Sequence, residues 1–204
     1  MIAEPRGATD LALFDFDHTI TDADSFGRFI RDLATPQQLA SAKWTAGPWL
    51  VGYRLGLVSA RQLRERVLML AFRGRGEAEI REQGIRHSHE VLPSLLRPQM
   101  MQRIAWHQER GDTVVLVSAS LDVYLQPWCE RHGLELICNR LEARDGVLTG
   151  RYEGGDCGPH KARLIRARYD VDAYPQVHAY GDSREDLGML ALAQQRWYRG
   201  RQLA

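Results

Sequence analysis

Cysteine is scarce in this chain, and lysine scarcer still. Its 204 residues include three cysteines, Cys129, Cys138 and Cys157, an odd number with no Cys-x-x-Cys pair, which argues against a disulfide framework or a structural zinc site. Lys43 and Lys161 are the only lysines among 27 cationic side chains. In a chain that otherwise uses arginine, a compact point charge in place of a planar fork invites a role. Excess charge of either sign is also lacking. Twenty-seven Lys and Arg against 26 Asp and Glu leave a net +1, without the global basic field of a non-specific nucleic-acid binder, so no nucleic-acid partner is expected. Long apolar runs are absent too. The most apolar window, 44–60, is interrupted by Arg54 and holds Gly47, Pro48, Gly52 and Gly56, well short of the roughly 18 apolar residues of a membrane span. The first ten residues have no apolar stretch of the secretory type, so a cytoplasmic location is expected. No GxxxxGK[ST] occurs, which leaves P-loop chemistry without support.

What is present is globular in balance, 44% hydrophobic and 26% charged, enough apolar surface to offset chain ordering. Leu11–Phe16 is a short apolar run carrying an acid near its end, the pattern of a buried strand in a parallel sheet. Thr113–Val117, Leu134–Cys138 and Val177–Tyr180 read likewise, and Arg196–Tyr198 as a last edge strand. Asp145-Gly146 signals a small hairpin within 140–151. Helices are expected over 100–110, 121–132, 160–169 and 184–192. Strands alternating with helices imply a doubly wound, Rossmann-like parallel sheet of the α/β class. Between the first and second strands lie some seventy residues of helical pattern, with Phe26, Phe29, Ile30 and Leu33, then Leu63, Val67, Leu68 and Leu70, at helical spacing. The economical division is a core of 1–21 and 93–204 with an inserted helical cap of 22–92, hinged near Thr21 and Pro93, over the sheet edge where open α/β proteins bind ligands.

Four short pieces fall at the carboxyl ends of predicted strands: Asp15-Phe-Asp-His-Thr-Ile-Thr21, Ser118 in Val117-Ser-Ala-Ser120, Lys161 after Gly158-Pro159, and Gly181-Asp-Ser-Arg-Glu-Asp186. Several carboxylates in one crevice repel each other and are costly to bury unpaired. A divalent cation relieves that, and an all-oxygen donor set with positions left for water and phosphate suits Mg²⁺. Lys161 adds positive charge and Ser118 a neutral donor, so a phosphate would complete the site. The residues alone therefore point to metal-assisted phosphoryl transfer.

The order DxDxT, Ser after a hydrophobic strand, Lys, then GDSxxD resembles the haloacid dehalogenase-like (HAD) phosphohydrolases, and the helical insertion resembles their phosphoserine-phosphatase-like subfamily. The resemblance implies that Asp15 is the nucleophile, forming an aspartyl-phosphate. Asp17 would protonate the leaving alcohol and later activate water, with its backbone carbonyl on the metal. Asp15, Asp17 and Asp182 would hold Mg²⁺, with Asp186 in support. Phe16, Thr19, Ser118, Ala119 and Lys161 would bind the phosphate, with the backbone of Phe16 and Asp17 assisting and Thr19 also bracing the loop. The acid at Asp17 suits ester cleavage, by a phosphatase or a mutase, over halide expulsion. Two departures argue against phosphoserine as the substrate, although phosphoserine phosphatase remains an alternative: Ala119-Ser120 stands where that subfamily usually has two glycines, and Ser183 where it has a third. The tryptophan-rich cap and the ending Ala193-Gln-Gln-Arg-Trp-Tyr-Arg199 more weakly resemble phosphatidylglycerophosphatase C, a lipid-phosphate family. The expectation is thus a phosphomonoesterase acting on a small-molecule or lipid phosphate.

Plainer readings compete at several positions. Asp22 and Asp24 read as N-terminal acids of a cap helix, His18 as a loop-shaping residue, His160 as a helix start and Cys157 as inert. Arg73 and Arg75 suit either a solvated turn or a loop over the substrate. Trp44, Trp49 and Tyr53 suit buried packing between cap helices, or else a peripheral membrane contact at the inner face. A non-catalytic phospholigand-binding module would lack one of the four motifs, and none is missing. The oligomeric state is not legible.

Overall fold

The computed structural model of the protein describes residues 9–34 and 47–203. Lys43 and Trp44 lie outside the described residues. Strands β1 (Leu11–Phe14), β2 (Thr113–Leu121), β3 (Glu135–Asn139), β6 (Val177–Gly181), β7 (Gln195–Tyr198) and β8 (Arg201–Leu203) form one sheet in the order β3-β2-β1-β6-β7-β8. All neighbours are parallel except the β7–β8 pair. The fold is the expected doubly wound α/β sheet. Two extensions were not expected: β2 continues past Val117 to Leu121, and β7 is interior because β8 folds back antiparallel beyond it.

β1 is apolar throughout because both of its faces are covered. Ala12 and Phe14 join one core layer with Ile104 of α5 (Pro98–Glu109) and Tyr124 and Trp128 of α6 (Asp122–His132). Leu11 and Leu13 join the other with Ile165 of α7 (Lys161–Arg168) and Met189 and Leu190 of α8 (Leu187–Leu190). The helix expected over 184–192 is therefore one tight turn at 184–186 followed by this short helix.

Between β1 and β2 stand α1 (Ser25–Leu33), α2 (Gly47–Arg54), α3 (Ala60–Phe72) and α4 (Glu77–Glu90), the inserted helical cap. Asp24 caps α1 by accepting from the Gly27 amide at 2.9 Å, and Ser59 and Gln62 cap α3 reciprocally. The two chain crossings run side by side: Asp22 N donates to Leu95 O at 2.9 Å and Arg97 N to Ile20 O at 2.8 Å. α4 meets α6 so closely that a Cβ on Gly84 would lie 2.3 Å from Val123 O.

The hairpin of β4 (Leu141–Arg144) and β5 (Val147–Tyr152) leans on the cap rather than the sheet. Gly74 N donates to Leu148 O, Leu148 N to Arg75 O, and Glu77 N to Gly146 O. The Arg73–Arg75 turn is thus spent on the hairpin, and Arg75 pairs with Glu79. α2 corrects the buried-packing expectation for its aromatics: Tyr53 is exposed and Trp49 half-buried, alongside exposed Leu50, Val51, Leu55 and Leu57. Among the described residues, no helix is long and apolar enough to cross a membrane.

His87 of α4 is an uncommon core residue. It is 3% exposed, packs on Phe29 and Tyr124, and neither ring nitrogen has a hydrogen-bond partner. Burial pushes its pKa down from 6.5 to about 4, against the pull of Asp32, 3.6 Å away. The unfolded chain binds a proton near 6.5 that the folded chain refuses until about 4. Stability is therefore full above pH 6.5 and declines as pH falls toward 4, by on the order of 2 kcal/mol. His87→Leu is expected to raise the urea midpoint at pH 7 and to flatten its decline between pH 7 and 5. An unchanged decline would assign the acid sensitivity to other groups.

Candidate active site

The carboxyl end of β1 lies between β2 and β6, with partners Phe14↔Leu116 and Phe14↔Tyr180. The ends of all three strands lie at the point where strand order reverses, the place where open α/β sheets bind ligands. Asp15 is anchored there, its amide donating to Tyr180 O at 2.9 Å. The chain then turns sharply through 16–20. His18 takes a left-handed φ of 59°, consistent with its expected loop-shaping role, and its side chain is exposed. Hydrogen bonds from the Thr21 hydroxyl to Phe16 O (3.3 Å) and Ala23 O (2.7 Å) brace this turn. This corrects the bracing role expected of Thr19, whose hydroxyl is buried and makes no hydrogen bond among the described residues.

The predicted acids and the lysine converge. Lys161 Nζ, 3% exposed, donates to Asp15 Oδ1 at 2.5 Å and to Asp186 Oδ1 at 2.6 Å. One carboxylate oxygen each of Asp15, Asp182 and Asp186 lies within 4.8 Å of the others. Asp186 is set by its own turn: its Oδ2 accepts from the amides of Asp182 (3.1 Å) and Ser183 (2.8 Å) and from the Ser183 hydroxyl (2.8 Å). Ser183, the departure from the usual glycine, thus supplies a hydrogen bond. A Cβ on Gly181 would lie 2.5 Å from Asp186 Cβ, so that glycine is what lets the acid tuck beneath β6.

Electrostatics follow from burial. Desolvation, against the pull of Lys161, raises the Asp15 pKa to about 7. Burial and the charge of Asp24 raise Asp17, and burial and Asp186 raise Asp182. Lys161 resists the burial penalty because Asp15 and Asp186 hold its charge, raising its pKa. Asp186 is lowered because Lys161 and the Ser183 bonds outweigh its burial. Burial drives the Cys157 thiol up to about 12, which fits its expected inertness.

Asp17 faces a different set of groups. Its Oδ1 accepts from the Ser25 amide at 2.6 Å, and its Oδ2 from the Ser120 hydroxyl. Ser118 is 1% exposed and its Oγ accepts from Ser120 N at 3.1 Å. Ala119 offers its carbonyl to Asn139 Nδ2 at 2.7 Å. Ser25, Ser120, Asn139, Asp156 and Arg64 were not singled out from the sequence. Ser118 and Ser120 lie where the pairing of β2 with β3 shifts register, between Ser118↔Cys138 and Leu121↔Asn139, so strand alternation alone does not align them. His160 stands at the N-cap of α7, next to the helix start expected for it.

Residues 12–191 match the haloacid dehalogenase-like hydrolase family. The chain belongs to the haloacid dehalogenase-like hydrolases. It is similar to Protein CicA of Caulobacter vibrioides, 31% identical over 203 residues and spanning 93% of this chain and 85% of that one. It also resembles the histidinol-phosphatase of Neisseria meningitidis serogroup C, 25% identical over 201 residues, 90% and 86% of the two chains. Among solved structures, a Bordetella pertussis protein of unknown function superposes with a TM-score of 0.78 at 24% identity, covering 93% and 89%. A substrate-bound phosphoserine phosphatase does so at 0.68 and 19%, covering 93% and 85%. This haloacid dehalogenase-like enzyme thus has the phosphoserine-phosphatase-like fold expected from its motifs.

Proposed function

We propose that the protein is a Mg²⁺-dependent phosphatase that cleaves phosphomonoesters through an aspartyl-phosphate. The observation that carries this is the convergence of Asp15, Asp182 and Asp186 around the buried Lys161 ammonium. One cation among three buried or half-buried carboxylates leaves uncompensated negative charge, and the donor set is all oxygen, so the residues fit a hard dication. The Asp15 and Asp182 carboxylates and the Asp17 carbonyl would hold it, with Asp186 in support. When bound, Mg²⁺ would offset the repulsion between Asp15 and an incoming phosphate.

In this mechanism an Asp15 oxygen bonds to phosphorus as the ester P–O bond breaks. Asp17, whose raised pKa favours the protonated form, gives its proton to the departing alkoxide oxygen. Asp17 then takes a proton from water as the water oxygen bonds to the same phosphorus. The acyl-phosphate P–O bond breaks, Asp15 returns as a carboxylate, and inorganic phosphate leaves. Lys161, Ser118 and the backbone at Phe16 and Ala119 hold the phosphoryl oxygens, and the inserted helices act as a cap at 22–92 that screens the reaction from water.

The test is a panel of phosphomonoesters: an aryl phosphate, phosphoserine, histidinol phosphate and phosphatidylglycerophosphate. The exposed apolar side chains of α2 are the feature that favours a lipid leaving group. Aryl phosphate turnover should fall to background with EDTA and return with Mg²⁺. Turnover that survives metal removal, or no phosphate release from any member, would refute the proposal.

A further inference from the structure

Arg64, from the second turn of α3 in the cap, reaches into the core and is 16% exposed. Its Nε and one terminal nitrogen donate to Asp156 Oδ2 at 3.1 and 2.7 Å, and the same terminal nitrogen donates to Glu185 Oε1 at 2.8 Å. Each partner belongs to a loop that carries site residues. Glu185 sits within the turn that runs from Asp182 to Asp186. Asp156, fully buried in its side chain, accepts from Gly158 N at 2.9 Å, at the approach to Lys161. Asp156 Oδ1 also accepts from Asn139 Nδ2 at 3.1 Å, and Asn139 in turn holds Ala119 O at 2.7 Å and accepts from Cys157 N at 2.6 Å. The fit is tight, since a Cβ on Gly158 would lie 2.6 Å from the Arg64 nitrogen and 2.5 Å from Glu185 Oε2.

One guanidinium from the inserted helices therefore joins the two core loops that lead to Lys161 and carry Asp182, and through Asp156 and Asn139 it reaches Ala119 in β2. Two guanidinium nitrogens converging on one buried carboxylate oxygen have defined direction, and breaking the pair leaves the Asp156 charge buried without a counter-charge. We propose that Arg64 is a positioning residue: through Asp156 and Glu185, docking of the cap sets the geometry of the phosphate pocket. This rests on the phosphatase proposal above. Asp156 and Asn139 are the relay, and no atom of the clasp touches the reacting group.

The test compares Arg64→Met, Arg64→Lys and Asp156→Asn with the wild type. Arg64→Met keeps volume and removes the fork. With an aryl phosphate, KM should rise about tenfold, inhibition by inorganic phosphate should weaken by the same factor, and kcat should change less. Arg64→Lys should recover part of the loss, and Arg64→Met/Asp156→Asn should be no worse than either single change. Independently of turnover, the rise in Tm produced by inorganic phosphate should shrink in Arg64→Met. Equal KM, equal inhibition and an equal phosphate-induced rise in Arg64→Met and wild type would overturn the clasp while leaving the phosphatase proposal standing. Wild-type protein that binds phosphate but turns over no ester would overturn the phosphatase proposal, and the Tm comparison would still decide the clasp. Wild-type protein that shows neither response would overturn both.

Discussion

Asp15→Asn should abolish turnover, by a factor of roughly 10⁴ or more, while leaving the protein folded and no less stable. The amide oxygen keeps the size and hydrogen-bonding shape of the carboxylate but is not nucleophilic, so the phosphoryl group has no acceptor. Stability should move independently of activity. Burial raises Asp15 to about 7, so the ionised carboxylate costs folding free energy that an unfolded chain, titrating near 3.8, does not spend. A neutral Asn removes that cost, and Lys161 retains Asp186 at 2.6 Å. Tm should therefore be equal or higher at pH 7, while single-turnover phosphate release vanishes. Asp15→Ala should be equally inactive. Turnover within tenfold of wild type in a metal-replete assay of either variant would remove Asp15 from the nucleophile role.

The centre of the sheet was legible because β1, β2 and β6 are buried on both faces and so read as largely apolar runs, Leu11–Phe14 most plainly, whereas the exposed β8 has no such pattern. The acids were legible because strand ends are where loops place chemistry: Asp15 follows β1, Asp182 follows β6 and Asp186 closes the next turn, whereas Lys161 opens α7 beyond the hairpin instead of ending a strand of the sheet, and the four meet. What was not legible depends on contacts between distant segments. Nothing local in Gln62-Leu-Arg-Glu-Arg66 marks Arg64 over Arg61 or Arg66, and only the packing of α3 against the β5–α7 loop separates them. The hairpin at Asp145-Gly146 was visible as a hairpin, but its backbone bonds to residues 74–77 of the cap were not. Ser183 and Ser120 looked like departures from the phosphoserine-phosphatase pattern. In the fold they donate to Asp186 and Asp17, so the extra hydroxyls stiffen two acids that glycines would leave freer.

That stiffening sharpens the expectation for Asp17→Asn, which should separate substrates by leaving group. An alkyl alcohol leaves poorly without a proton, so loss of the acid should cost about 10²–10⁴ in kcat/KM for an alkyl phosphate. A nitrophenolate leaves unaided, so the first step on that ester should fall far less. The second step still lacks its base, since Asn cannot take the proton from water. Aspartyl-phosphate should then accumulate, and the nitrophenyl ester should give a burst equal to the enzyme present, followed by slow turnover. Wild type should show a shallow dependence on leaving-group pKa and Asp17→Asn a steep one. Ser120→Ala, which removes one of the two hydrogen bonds orienting the Asp17 carboxylate, should lie between them without a burst. Equal losses on alkyl and aryl esters, with no burst, would mean that Asp17 only shapes the loop, and the proton would have to come from elsewhere in the crevice.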